Sequence, residues 1–549
     1  METHVTFRKK VSATQHIGDF ANIFKAFIGA NYLTIPFNFR QSGLALGAAG
    51  LVLIAVLTDH CCNLIVKCKY AAIERVMTLY RSEVQRDEGS VDEDEMKVVH
   101  NRLLKNLTYG DIGKLSFGNP GLVLVNMCLL FTQFGFCVSY FIFIGNTFYT
   151  LFPTHNVTQT NSSIYNTSAL PTFLNPVDPL EETGSLTRQT YEDVDAEYFY
   201  SSNIVGNSSA SNLTQDWSFI SVSSAPRLEY LILVPLPFFV MFAIIRKIRH
   251  LGVISILADV SIFVGCVCVF VYLLIRFTIS DTYKLVKAST FPIFFGGVTG
   301  AFEGIGTIIP IESSMEGNRH NFPFFLHAAV FLLSFILSVF GILGYLRFGE
   351  FAEQMINSNI RPLESPISRI VNVTLCLGIL LTFPLQMYPV IELAEGYTFA
   401  EGRCCGPSSH RDHYERELSR EDDNAIMNEE DEALLSTVDS VSMPVAVEIP
   451  DSVPSWKRNI FRVCLVMLAC GVAILCRNFY AYFAAFIGAV GSTMLAYILP
   501  CIFHLKLAGF RLSRGIWVKN MLIVLIGICG GVMSVYAVIR DVILTFDKS

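Results

Sequence analysis

Charged side chains are scarce in this 549-residue chain. Asp, Glu, Lys and Arg make up 16% of it, against about 25% in ordinary soluble domains. The deficit excludes a large soluble enzyme, a disordered chain and a secreted disulfide scaffold. Alternation is missing too: the apolar runs are continuous, which excludes a transmembrane β-barrel. What is abundant is apolar surface, at 52% of residues with a mean hydropathy of +0.48. A polytopic membrane protein remains. The net charge of −7 says little, because the charges sit in separate loops.

A membrane helix needs about 20 mostly apolar residues. Such stretches fall near 18–38, 43–66, 120–149, 227–246, 251–277, 291–312, 322–346, 366–394, 459–477, 479–503 and 517–541. The expected fold is therefore all-α, with about eleven transmembrane helices. Residues 1–17 are polar and carry Arg8, Lys9 and Lys10, so no cleavable signal peptide is expected and they form a cytosolic tail. Basic residues near span ends set orientation. With the N-terminus cytosolic, that side receives Lys67, Lys69, Lys114, Arg246, Lys247, Arg249, Arg319, Lys457, Arg458, Lys506 and Arg514. The opposite side keeps a thinner set, Arg40, Arg227, Lys284, Lys287, Arg347 and Arg361.

A second signal agrees. The loop 152–226 holds sequons at Asn156, Asn161, Asn166, Asn207 and Asn212, and it is acidic. Five sequons in one polar loop read as a glycosylated luminal or extracellular segment. Asn106 and Asn372 also match, but fall in the cytosol and in a span, where no modification is expected. None of the fifteen cysteines lies in the glycosylated loop, so no disulfide framework is expected. Two cytosolic insertions stand out. Residues 67–118 contain an acidic run and some amphipathic helix, and 396–457 is polar, acidic and expected to be largely disordered. Within the second, Glu430, Leu434 and Leu435 fit an acidic dileucine signal that a sorting adaptor would read; the plainer reading is a solvated acidic linker.

The informative residues break rules inside the membrane. In the first span, Gly29-Ala30-Asn31-Tyr32-Leu33-Thr34-Ile35-Pro36 interrupts the helix, because Pro36 has no N–H for the Tyr32 carbonyl and Gly29 weakens the helix before it. Lys25 lies one turn earlier. In the sixth span, Gly296, Gly297, Gly300, Gly304 and Gly306 accompany Glu303 ahead of Pro310. Unpaired backbone groups in lipid cost several kcal/mol each. Glycines alone often serve close packing. Two interruptions five spans apart, each with polar side chains, point instead to a midplane site in an inverted-repeat transporter. The repeats are then spans 1–5 (18–277) and 6–10 (291–503), with 517–541 appended. No nucleophile–base set or metal-ligand cluster lies in the spans, so the chain reads as no enzyme, with no metal and no nucleic-acid partner. Its partners are a small-molecule substrate and membrane lipid.

These segments carry a resemblance. Lys25 through Pro36, Phe136-Cys137-Val138-Ser139-Tyr140-Phe141, Phe294-Phe295-Gly296, Phe302-Glu303-Gly304-Ile305-Gly306, the Gly341 to Gly349 stretch and Gln386-Met387-Tyr388 resemble the amino acid/auxin permease family. The likeness is strongest to its proton-coupled branch, with vacuolar and lysosomal relatives. It implies a leucine-transporter-like 5+5 inverted repeat and symport of small neutral amino acids by alternating access. Residence would be lysosomal, vacuolar or plasma membrane. An amino acid sensor is the alternative from another class.

The resemblance and the exposed-peptide argument together assign a site. N–H groups around Gly29, Ala30 and Asn31 would hold the substrate carboxylate. Carbonyls around Phe302 and Gly304 would accept from its ammonium, and Tyr140 and Phe302 would wall the side chain. Glu303 is the natural proton carrier, since burial raises a carboxyl pKa. Alternatively it pairs with Lys25 or caps free N–H groups without titrating. Departures matter. The family's Gly-Thr-Gly reads Gly29-Ala30-Asn31, which narrows the expected substrate range and leaves sodium coupling open through Asn31. Asn22 stands where some members have a coupling histidine. Asp259 stands where relatives have Asn, as a second ionisable candidate or a packed residue.

Overall fold

The long apolar runs form helices. The structure, a computed structural model, describes residues 12–27, 30–87, 93–152, 154–160, 163–166, 218–223, 225–245, 251–275, 277–302, 304–315, 317–360, 365–399, 453–509 and 512–546. Among them nine helical stretches are long and apolar enough to cross a bilayer: Leu44–Ser82, Asn119–Leu151, Ile256–Leu274, Phe291–Ser314, Arg319–Phe351, Pro366–Phe399, Ser455–Leu475, Tyr480–Ala508 and Arg514–Thr545. The other two expected spans are built from shorter pieces. Span 1 is α1 (Ala13–Phe27), a 3₁₀ turn (Ala30–Thr34) and α2 (Ile35–Ser42). Pro36 sits in the first turn of α2, where a missing N–H costs nothing. Span 4 falls within Leu228–Ile244, which at 1.5 Å per residue reaches about 26 Å.

Span 2 departs from expectation. It continues as one 44-residue helix, α3 (Leu44–Asp87), far beyond the expected end at residue 66. Hydropathy marks where a helix leaves lipid, and a charged amphipathic continuation carries no such mark. The rest of the 67–118 insertion is also mostly helical, as α4 (Glu93–Asn106) and α5 (Tyr109–Phe117). Thr108 caps α5 by accepting from the Asp111 N–H at 3.2 Å, while the Asp111 carboxylate accepts from the Thr108 N–H at 2.9 Å. This reciprocal pair satisfies two otherwise free donors.

Span 3 is α6 (Asn119–Leu151), span 4 is α7 (Leu228–Leu233) with α8 (Leu236–Ile244), and span 5 lies in α9 (Leu251–Leu274). Span 6 is split into α10 (Phe291–Ala301) and α11 (Ile305–Ser314). Spans 7, 8 and 9 are α12 (Phe322–Phe348), α13 (Pro366–Phe399) and α14 (Ser455–Leu475). Span 10 begins as α15 (Tyr480–Ile487), passes through π-helical turns at Gly488–Ser492 and Met494–Ile498, and ends as α16 (Leu499–Ala508). Span 11 is α17 (Arg514–Phe546).

Helix neighbours come in couples related by a shift of five spans. Span 8 packs on span 5 as span 3 packs on span 10, and span 7 touches 5 as span 2 touches 10. Span 3 meets 9 as span 8 meets 4. These couples follow the pattern expected of two halves of five spans each. Spans 1, 2, 6 and 7 form one group and 3, 4, 8 and 9 another. The second is packed by aromatic rings, with Phe239 stacked on Phe383 at 3.7 Å and Phe141 edge-on to Phe239 at 4.7 Å.

One addition to the all-α reading lies in the sequon loop. Strands β1 (Thr154–Thr160), β2 (Ser163–Asn166) and β3 (Ser218–Ser223) form an antiparallel sheet in the order β2-β1-β3. Thr, Val, Ile and Phe in these segments favour strands. Asn156 lies on β1 and Asn166 on β2, whereas Asn161, Asn207 and Asn212 lie outside the described residues, as do Glu430, Leu434 and Leu435. Asn372 is buried within α13. The thirteen described cysteines are free thiols.

Candidate functional site

The sixth-span break is narrower than its glycine run. Helix α10 carries Gly296, Gly297 and Gly300 in regular geometry to Ala301, and the Phe302 N–H still donates to the Val298 carbonyl at 3.1 Å. The interruption therefore covers 302–304, of which Glu303 lies outside the described residues. The glycines before it allow close approach. A Cβ on Gly297 would lie 2.4 Å from Asn38 Oδ1 of α2, and one on Gly296 would lie 2.4 Å from the Ala485 carbonyl of α15. Gly304 faces the end of α1, where a Cβ would come within 2.7 Å of the Phe27 ring. Both the packing role and the break role of this segment are thus present.

The two breaks meet. Asn31 Nδ2 donates to the Gly300 carbonyl at 3.0 Å, in a buried contact between residues 269 positions apart. Thr34 Oγ1 donates to the Asn31 carbonyl at 2.7 Å and accepts from Asn38 Nδ2 at 3.2 Å, which fixes the 3₁₀ turn. The Asn31 side-chain amide thus ties span 1 to span 6. Gly29 lies outside the described residues, and Ala30 opens the turn. The Gly304 carbonyl, assigned above to the ammonium, receives two donors from Thr307, its N–H at 3.0 Å and its hydroxyl at 2.8 Å. A carbonyl has two lone pairs, so this one is filled.

Three buried tyrosines surround the region. Tyr140 of α6 has Cys137 and Tyr480 as electrostatic neighbours, and Tyr32 of span 1 has Cys266 and Tyr480. Tyr32 also lies edge-on to Phe340 at 5.9 Å, and Tyr480 lies against Phe143 at 6.0 Å. Among the described residues neither the Tyr32 nor the Tyr480 hydroxyl has a hydrogen-bond partner. Such groups are uncommon in cores and call for an explanation. Phe302 is buried beside the break. Tyr140 and Phe302 stand in the sequence motifs named above, whereas no local motif marks Tyr480.

Two ion pairs frame the half-helices. Lys25 Nζ lies 2.5 Å from Asp259 Oδ2, linking α1 to α9, with both side chains half-exposed. The two coupling candidates thus contact each other. At the end of α11, Glu312 is buried and pairs with buried Lys69 of α3 at 2.6 Å. Lys69 Nζ also donates to Ser313 Oγ at 2.7 Å and to the Leu104 carbonyl of α4 at 2.9 Å. The Tyr70 hydroxyl donates to the other Glu312 oxygen. Sequence reading took Lys69 as a surface charge; its partner lies 243 residues away.

Two interrupted helices tied to each other, among helices long and apolar enough to cross a bilayer, are consistent with a multi-pass transporter fold. The profile of the family described as "Transmembrane amino acid transporter protein" matches residues 13–85, 95–177 and 204–540. The chain belongs to that family. It is 24% identical to Amino acid transporter AVT3C of Arabidopsis thaliana over 95% of this chain and 90% of that protein. It is 26% identical to Amino acid transporter AVT3B of the same plant, over 68% of this chain and 70% of the other. Vacuolar amino acid transporter 3 of Saccharomyces cerevisiae is 26% identical over 53% of this chain and 36% of its own length. The chain is accordingly a membrane transporter of the amino acid class and not an enzyme.

Proposed function

We propose that this protein moves small neutral amino acids across a vacuolar or lysosomal membrane by alternating access, coupled to protons. The observation that carries the reading is the Asn31–Gly300 bond, which sets the two interrupted segments against each other. Peptide N–H groups at the start of the 3₁₀ turn take the carboxylate, aided by the local helix dipole. With the Gly304 carbonyl filled, the Phe302 carbonyl takes the ammonium. Tyr32, Tyr140 and Tyr480 line the side-chain space, and two unpartnered hydroxyls give the substrate polar contacts.

Coupling falls to Glu303, with the Lys25–Asp259 pair as the contact that opens and closes between α1 and α9 as the bundle rocks. Each pH unit supplies about 1.4 kcal/mol per proton. The vacuolar or lysosomal location draws on the name of the yeast relative and on the dileucine segment at Glu430, Leu434 and Leu435. The test is uptake of a labelled amino acid panel into proteoliposomes under separately imposed pH and sodium gradients. Uptake should follow the pH gradient and ignore sodium. Failure of every neutral amino acid to move overturns the transport reading; drive by sodium alone overturns the coupling. Retention of full pH dependence by Glu303→Gln removes Glu303 as the carrier.

A further inference from the structure

A small polar cavity opens beside the end of α6 that leads into the 152–226 loop. It is a half-open dent of about 100 Å³, lined by Asn146 of α6, by Glu353, Gln354 and Ser358 after α12, and by Arg477 and Tyr480 at the junction of α14 and α15. That volume is roughly three waters' share of liquid, on the scale of an amino-acid head group. Its frame is held by side-chain amides. Asn146 Nδ2 donates to the Arg477 carbonyl at 3.0 Å. Gln354 clamps the junction from both ends, donating to the Asn478 carbonyl at 2.8 Å and accepting from the Ala481 N–H at 3.0 Å.

The chemistry of the walls is matched to a zwitterion. A guanidinium and a carboxylate, Arg477 and Glu353, share one small cavity. Arg477 is held by Glu229 at 3.1 Å and remains partly exposed, so an incoming carboxylate has a donor to share. A second, independent observation concerns Tyr480. Tyr480 is 1% exposed, lines this cavity, and its buried hydroxyl has no hydrogen-bond partner among the described residues. The same tyrosine is the electrostatic neighbour of Tyr32 and Tyr140 at the helix breaks. Tyr480 therefore borders the cavity and also neighbours the tyrosines of the candidate substrate site.

We propose that this cavity is an antechamber for the transported amino acid. Its carboxylate docks on Arg477 and its ammonium on Glu353, before it passes Tyr480 to the breaks. The inference rests on the transport reading and adds a second, side-specific binding step. It is tested by alanine uptake into proteoliposomes of sorted orientation, with substrate offered from one face at a time. Arg477→Gln should raise KM about tenfold from the face of the 152–226 loop, the size of a lost charge-assisted hydrogen bond. It should leave the loop-face Vmax and the KM from the other face within twofold; because the gradients fix the ratio of Vmax/KM in the two directions, Vmax from the other face should fall in the same proportion. Glu229→Gln, which releases Arg477, should lower KM from the loop face or leave it unchanged. Alanine amide and N-acetylalanine, each lacking one charge, should compete poorly with alanine from the loop face. Equal KM changes from both faces, or Glu229→Gln failing in the same way as Arg477→Gln, would show a structural arginine and overturn the antechamber. A wild-type protein that moves no amino acid overturns the transport reading instead.

Discussion

Asn31→Ala removes a side-chain bond that joins the span 1 turn to Gly300 of span 6, just before its interruption. The bond is 3.0 Å long and buried, and Asn31 itself is 6% exposed. A buried neutral hydrogen bond contributes about 0.5–1.5 kcal/mol net, and a carbonyl left without its donor costs about 1–3 kcal/mol. If the substrate site needs both breaks in register, that cost appears in substrate affinity. At 1.4 kcal/mol per decade the loss is about 5- to 150-fold in Kd. Asn31→Asp keeps the volume but turns the donor into an acceptor facing the Gly300 carbonyl, so its loss should be at least as large. Asn31→Gly restores the family's second glycine and should widen the substrate range while weakening binding. The assay is equilibrium binding of a labelled amino acid to protein in detergent, with thermal melting as a check on folding. A well-folded Asn31→Ala protein that binds within twofold of wild type would refute the reasoning.

Other contacts make sharper or weaker demands. The Lys25–Asp259 pair is half-exposed, so neutralising either partner should shift the transport rate by no more than about fivefold, in line with about 1 kcal/mol for exposed pairs. The swap Lys25→Asp with Asp259→Lys should transport faster than either single reversal. Gly488→Ala would put a Cβ 2.0 Å from the Gly296 carbonyl. The atom it meets is packed backbone, so overpacking should cost about 1–3 kcal/mol, read as a lower melting temperature. Glu312→Gln strands buried Lys69 and should cost about 3–5 kcal/mol, whereas Lys69→Met with Glu312→Leu should recover part of that loss. Melting curves of the three proteins decide it.

The bilayer made most of the fold legible. Every long span needs a run of apolar residues; Pro36 at the start of α2 and Gly304 just before α11 mark the two breaks, while Gly296, Gly297 and Gly300 serve close packing inside α10. Glu303 and Lys25 stood out because charge inside lipid is costly. What stayed hidden depends on contacts between distant residues. Nothing near Asn31 foretells Gly300, and nothing near Lys69 foretells Glu312. The π-helical turns at Gly488–Ser492 and Met494–Ile498 have no composition that separates them from ordinary helix. The extension of α3 beyond Val66 was hidden because charged residues leave lipid without ending a helix. The strands of the sequon loop are short, and polar residues crowd the segment around them.

The reach of α3 has a mechanical consequence. Its 44 residues give a rod of about 66 Å, of which about 36 Å exceeds the hydrocarbon thickness of about 30 Å. A tilt of about 10° in the buried half would swing the far tip near Asp87 by about 6 Å, if the rod stays stiff. A fluorophore on that tip would act as a pointer, reporting rearrangements deep in the bilayer from a place where water-soluble reagents can reach it.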